Sequence, residues 1–363
     1  MIASAALISV ALSHAIARFV TKRALLPDRP NGRSSHKRQT PRSGGIAIFG
    51  GFLAAMILYA AFFAAGDLSS RYAPLIGCAL AAFAFGAVDD LRPLGARLKL
   101  AAQIAIAVAF VVIYGPVETV PAPFVGDVAL GAAAFPLTVF WIVAFMNAFN
   151  FMDGINGIAG ACAVFVLSAL AVAAGGGDAL WAPPAVFLAC AIFGYLPLNF
   201  PSGRLFMGDG GSQFVGFMIA ALAALAAQEA GGLVSPLFTP IAFMPFLFDV
   251  SFTLAHRIRR KRNIFEAHKE HLYQLIVRLG RSHQSVTTLY LTLTVISTTV
   301  AILVNTAPAR LQFIGAAALI ALFTPLAVLI YRRAAAAGLF AAAARRVETT
   351  PVDAPQSYPA AAE

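Results

Sequence analysis

The chain has 363 residues, 60% of them hydrophobic and only 12% charged, with a formal net charge of +10. Ordinary soluble domains carry about 25% charged residues, so this composition excludes a soluble globular enzyme. It also makes the positive charge a matter of membrane topology rather than of nucleic-acid binding.

Apolar stretches recur along the whole length and predict an all-α, polytopic integral membrane protein with about eleven (10–11) spans. They fall near 2–20, 44–65, 72–88, 98–114, 130–148, 157–174, 182–199, 213–228, 235–255, 286–306 and 312–331. The first lacks a basic n-region and a small-residue cleavage site, so it reads as a span and not as a cleaved signal peptide. Residues 1–335 form one transmembrane domain, and 336–363 read as a disordered cytoplasmic tail. Cys78, Cys162 and Cys190 lie inside apolar runs, with no metal-like spacing and no evident disulfide pair.

Charge orients the spans. Lys and Arg crowd 21–43, 91–99, 256–285 and 332–346, and Arg204 adds to 200–212, whereas the opposite loops hold only Arg71 and Arg310. The positive-inside rule then places the N-terminus outside and the C-terminus in the cytoplasm. The unusual polar motifs fall in the cytoplasmic loops 21–43, 89–99, 149–156, 200–212 and 256–285.

In chain order, the first is Asp28-Arg-Pro-Asn31-Gly-Arg33 followed by Thr40-Pro-Arg42, a basic loop that alone reads as an anchor. Next, Asp89 and Asp90 end an apolar run beside Arg92, Arg97 and Lys99. Adjacent carboxylates repel unless something positive neutralises them, and a divalent cation held with a phosphate does so. In the third, Asn147, Asn150 and Asp153 share a helix face, and Gly154 and Gly157 let backbone approach a ligand. The fourth runs from Asn199 through Phe206 to Gly208-Asp209-Gly210-Gly211, a loop able to cradle phosphate with Asp209 as a metal ligand. The fifth, Arg257 to Arg281, contains His268 and His271. With no Cys partners and no HExxH spacing it reads as a phosphate contact rather than a zinc site. His14 and Asp249, inside spans, read as structural, Asp249 by pairing with a basic neighbour or capping a helix.

Together, PNGRSSHKRQTPRSGG, GAVDDLRPLGARLKLAAQ, NAFNFMDGINGIAG and NFPSGRLFMGDGGS, in this order, resemble the polyprenyl-phosphate N-acetylhexosamine-1-phosphate transferases (glycosyltransferase 4 family). HKEHLYQ, without three consecutive histidines, is closer to the WecA-like, O-antigen-initiating branch than to the MraY-like peptidoglycan branch. The resemblance implies transfer of N-acetylhexosamine 1-phosphate from a UDP-sugar to undecaprenyl phosphate at the bacterial inner membrane, with release of UMP. GlcNAc is the default sugar and a 6-deoxy-HexNAc the variant.

It further implies Mg²⁺, with Mn²⁺ as a substitute, on Asp209 and Asp153. Asp89, Asp90, Lys99, Asp153 and His268 take catalytic roles. Asn150, Gly154, Asn156, Asn199, Phe206 and His271 take substrate contacts, Phe206 by stacking on uracil. Asn156 stands where the family carries a second aspartate. A homodimer is compatible with these expectations. The rival reading is a multi-span transporter, whose ionisable residues and broken helices would sit near the bilayer midplane.

Overall fold

A computed structural model describes residues 2–28, 40–63, 71–174, 179–228, 233–263, 266 and 268–340. The basic stretch 29–39 and the tail from 341 onward, both read above from sequence, lie outside the described residues.

Among the described residues, nine helices are long and apolar enough to cross a membrane. They are α1 (Ile2–Arg23), α2 (Gly44–Phe63), α3 (Ala73–Leu91), α4 (Ala96–Tyr114), α5 (Ala134–Met152), α7 (Ala182–Asn199), α8 (Gly208–Gln228), α12 (His283–Val304) and α13 (Ala309–Ala336). The protein is therefore an all-α, multi-pass membrane protein.

The two remaining expected spans take other forms. α6 (Ile158–Ala173) has 16 residues; at the rise of a helix that is about 24 Å, short of a hydrocarbon core about 30 Å thick. The stretch 235–255 breaks into α9 (Phe238–Ala242) and α10 (Met244–Arg259). Pro245 in the first turn of α10 has no backbone N–H and cannot continue the α9 ladder. A short helix, α11 (Leu272–Arg278), follows.

Four short strands complete the elements. β1 (Pro27–Asp28) pairs with β2 (Thr40–Pro41), and β3 (Thr119–Ala122) forms an antiparallel hairpin with β4 (Gly126–Ala129). The hairpin was not expected from sequence, because Pro121 interrupts the alternation that marks a strand.

α8 is the centre of the bundle. Of its apolar window 89% is buried, against 22% for α1. It packs against α2, α3, α5 and α7. Its sequence is rich in Gly and Ala, which lets neighbouring backbones come close where hydrophobic burial supplies little drive between helices. Aromatic contacts fill the remaining space: Phe214 meets Phe49 and Phe52, and Phe217 meets Phe110.

α1 is held to α7 by hydroxyls within the apolar layer. Ser9 Oγ donates to the Phe187 carbonyl at 2.8 Å and Ser13 Oγ to that of Ala191 at 2.7 Å. His14 Nδ1 lies 3.0 Å from the Gly194 carbonyl, the structural role expected of it. Large apolar side chains such as Leu7, Val112 and Leu303 are exposed, as a lipid-facing surface requires.

Candidate active site

The site grows from the crossing of α3 and α8. Asp90, in the last turn of α3, accepts hydrogen bonds from the amides of Asp209 and Gly210, each at 2.9 Å. These are orphan donors of the first turn of α8, and a carboxylate there also complements the helix dipole. Both oxygens of Asp90 are thus engaged in capping a helix. Asp90 therefore positions the first turn of α8. Gly86, one turn earlier on α3, makes the crossing possible: a Cβ there would sit 2.2 Å from the Asp209 carbonyl oxygen.

Asp209 is held from two other helices. Asn150, near the end of α5, donates from Nδ2 to Asp209 Oδ1 at 3.1 Å and to Ser212 Oγ at 2.8 Å. Lys99, in the first turn of α4, places Nζ 3.4 Å from Asp209 Oδ2 and pairs directly with Asp89 Oδ2. Asp89 is buried, and its other oxygen accepts the Leu94 amide at 2.7 Å. Beneath lies an amide network: Gln103 Nε2 donates to Gln213 Oε1 at 3.0 Å, and Asn147 Nδ2 to Gln103 Oε1 at 2.8 Å. Asn147 and Asn150 do share the face of α5 turned to α4 and α8, whereas Asp153 lies just past the helix as its C-cap. Ser212, Gln103 and Gln213 were missed in sequence, where nothing separates them from other polar residues on an apolar helix.

Asp153 caps the C-terminus of α5. Loss of solvent, then the charges of Asp209 and Asp90, push its carboxyl well above the usual carboxylate range, and Arg42 opposes them. Arg42 also lies within Coulombic reach of Asp90, so this residue of the motif that read as an anchor contributes to the site.

Four residues expected to contact substrate have close protein neighbours. Asn199 is buried, with Oδ1 accepting the Gly157 amide at 2.7 Å and Nδ2 donating to the Leu205 carbonyl at 2.8 Å. It ties the 150s loop to the turn before α8. Asn156 packs its amide against Gly203, and its carbonyl accepts from Thr287 Oγ1 at 2.7 Å. Gly154 is required by Tyr273, whose hydroxyl would lie 2.0 Å from a Cβ there. His271 is buried with Nδ1 3.2 Å from Asp249 Oδ1. These neighbours, which a motif in sequence does not display, engage the Asn199 amide, the His271 ring, the Asn156 backbone carbonyl and the space at Gly154. Phe206 is half-buried on the loop entering α8; its amide donates to the Pro41 carbonyl and its carbonyl accepts from Gly44, both at 2.8 Å.

His268 lies beside His271, ring centroids 5.0 Å apart. Burial, with His271 and Arg257 adding to it, pushes its pKa down to about 3. At neutral pH the ring is uncharged. Its Nδ1 accepts the Glu270 amide at 3.4 Å, which leaves the proton on Nε2.

Among the described residues, no three His, Cys, Asp or Glu side chains are grouped to hold a cation as they stand. The chemistry of the donors nonetheless fits one. Among the described residues, Asp89, Asp90, Asp153 and Asp209 cluster with Lys99 and Arg42 as their cationic neighbours, so the carboxylates outnumber these cations. All the donors are carboxylate oxygens, which suit a hard cation such as Mg²⁺.

Residues 72–227, which carry α3 to α8 and every carboxylate of this cluster, match the family described as glycosyl transferase family 4. A probable undecaprenyl-phosphate N-acetylglucosaminyl 1-phosphate transferase of Bacillus subtilis is 32% identical over 73% of this chain and 73% of its own length. A decaprenyl-phosphate N-acetylglucosaminephosphotransferase of Mycobacterium tuberculosis is 36% identical over 71% and 70%. The undecaprenyl-phosphate alpha-N-acetylglucosaminyl 1-phosphate transferase of Escherichia coli is 28% identical over 73% and 72%.

Proposed function

The chain belongs to glycosyl transferase family 4, among the polyprenyl-phosphate N-acetylhexosamine-1-phosphate transferases, and from that premise we propose its reaction. It transfers N-acetylglucosamine 1-phosphate from UDP-N-acetylglucosamine to polyprenyl phosphate at the inner membrane, releasing UMP. The step would begin assembly of a lipid-linked envelope polysaccharide of the O-antigen kind. The observation that carries the reading is Asp209, presented at the start of α8 and flanked by Asn150 and Lys99.

Two anions must meet, so the work is charge neutralisation and positioning. The lipid phosphate is the nucleophile and the β-phosphorus of the UDP-sugar its target. A phosphate monoester has a second pKa of about 6 and is mostly dianionic at pH 7, so no strong base is needed. That suits a site in which Asp90 caps a helix and Asp89 is paired with Lys99. The Lys99 ammonium is partly exposed between Asp89 and Asp209, and a phosphate oxygen can replace a carboxylate as its partner. His268, neutral, donates from Nε2–H to an oxygen rather than attracting it by charge.

Asp209 and Asp153, with Asp89 beside them, would hold Mg²⁺. When bound, the ion supplies charge neutralisation at the pyrophosphate.

The test is lipid-dependent UMP release in detergent from a panel of UDP-N-acetylhexosamines, with Mg²⁺ and with EDTA. Wild type should release UMP only with polyprenyl phosphate and lose the activity in EDTA. Asp209→Ala should abolish it with the thermal transition retained. Lipid-independent release, or none from any UDP-HexNAc, would overturn the reading.

A further inference from the structure

The chemistry proposed above makes no use of Asp249, yet this carboxylate is fully buried and accepts five hydrogen bonds. Its Oδ1 takes Thr253 Oγ1 at 3.2 Å, His271 Nδ1 at 3.2 Å and the Leu272 amide at 2.9 Å. Its Oδ2 takes the Tyr273 amide at 3.1 Å and the Tyr290 hydroxyl at 2.6 Å. Burying a carboxylate is costly, and full satisfaction by donors from three helices is what makes it tolerable. Two of the donors are first-turn amides of α11, so Asp249 caps a helix from across the bundle.

The consequence reaches the site through Tyr273. Its amide is held by Asp249, and its hydroxyl donates to the Phe151 carbonyl at 2.9 Å, two residues before Asp153. The same hydroxyl occupies the space a side chain would need at Gly154, on the other side of Asp153. Phe151 also stands against His271, ring centroids 5.8 Å apart. Thr287 on α12, one turn from Tyr290, fixes the end of the same loop through the Asn156 carbonyl. One carboxylate thus sets the start of α11, the His271 ring beside His268, and, through one tyrosine, the backbone that carries Asp153.

We infer that Asp249 is a positioning residue for the proposed transfer, registering the histidine segment 268–273 against the Asp153 loop through Tyr273. The inference rests on the function proposed above for its kinetic half only. It touches no substrate; its role is to keep two segments that must act on one pyrophosphate at a fixed separation. A small displacement of such groups is felt in turnover more than in binding.

The experiment uses the full-length protein in detergent with Asp249→Asn, Tyr273→Phe and the double variant. Hydrogen exchange of segments 150–157 and 268–275 is read beside kcat, KM for UDP-N-acetylglucosamine and the thermal transition. Tyr273→Phe keeps its amide on Asp249 and should speed exchange in 150–157 alone. It should lower kcat about tenfold with KM within about twofold. Asp249→Asn should speed exchange in both segments and lower kcat at least as far. The double variant should be no slower than Asp249→Asn, because the two lie on one line of contact.

Unchanged 150–157 exchange and kcat in folded Asp249→Asn, or rate losses that multiply in the double variant, would overturn the inference. Should Asp249→Asn fail to fold, Tyr273→Phe decides it by the same two readings. If wild type releases no UMP, the transfer reading falls by itself, and the exchange pattern alone decides whether the coupling exists.

Discussion

At the scale of single residues, the site sorts groups of one type by their partners. Asp89 and Asp90 are adjacent in sequence, yet one pairs with Lys99 and the other caps α8. His268 and His271 differ in the same way, the first half-buried beside an arginine and the second locked on Asp249. The His268 shift has a defined consequence. The folded pKa lies at about 3 against 6.5 for the ordinary imidazole. Below 6.5 the unfolded chain therefore binds a proton that the folded one does not, and stability falls as pH drops from that value toward 3. Above it the residue contributes nothing to the slope. His268→Gln, uncharged at every pH, should lose less thermal stability than wild type between about pH 7.5 and about pH 5, and the two should run parallel above that range. Equal losses on acidification would mean that His268 is not held neutral by the fold.

At the scale of elements, the decisive contact is α3 against α8. Gly86 permits it, and Asp90 fastens it. Gly86→Ala would drive a methyl group into the Asp209 carbonyl, and overpacking of this kind costs about 1–3 kcal/mol. Asp90→Ala removes a cap of typically about 1 kcal/mol. Both variants should lower the thermal transition and UMP release together, while Asp89→Ala should lower release with the α8 cap intact. A Gly86→Ala protein as stable and active as wild type would contradict the close crossing. Much of this was legible in sequence: the apolar runs located the spans, and the glycines and aspartates located the loops that meet. What was hidden were the partners. Nothing in the order of residues says that Asn199 turns back on Gly157 and Leu205, that Tyr273 fills the space at Gly154, or that Gln103 faces Gln213. Apart from the short Asn199–Leu205 contact, these are tertiary pairings between segments far apart in the chain. The break at Phe243 was hidden as well, because the 235–255 run is apolar on both sides of it and only Pro245 marks the place.

At the scale of the whole molecule, the carboxylates gather where α3, α4, α5 and α8 begin or end, away from the middle of the apolar bundle. A transporter would place its ionisable residues and broken helices near the midplane; here, among the described carboxylates, only Asp249 lies well inside a helix, and both of its oxygens are hydrogen-bonded to protein. The cations follow the carboxylates. Arg42, Arg92, Arg97, Lys99 and Arg204 belong to the segments that meet at the site, whereas Arg71 and Arg310 stand at the start of α3 and of α13. Under the positive-inside rule we propose that the site faces the cytoplasm, where UDP-sugars are made, and that the β3–β4 hairpin faces outward. Single cysteines test this directly. Cys78 and Cys162 are buried, so little background labelling is expected from them. A cysteine replacing exposed Arg204 should react with a membrane-impermeant maleimide only in inside-out vesicles, and one replacing exposed Asp127 only from the outer face of intact cells. The reverse pattern would put the carboxylate cluster on the side that has no UDP-sugar, and the proposed reaction could not run there.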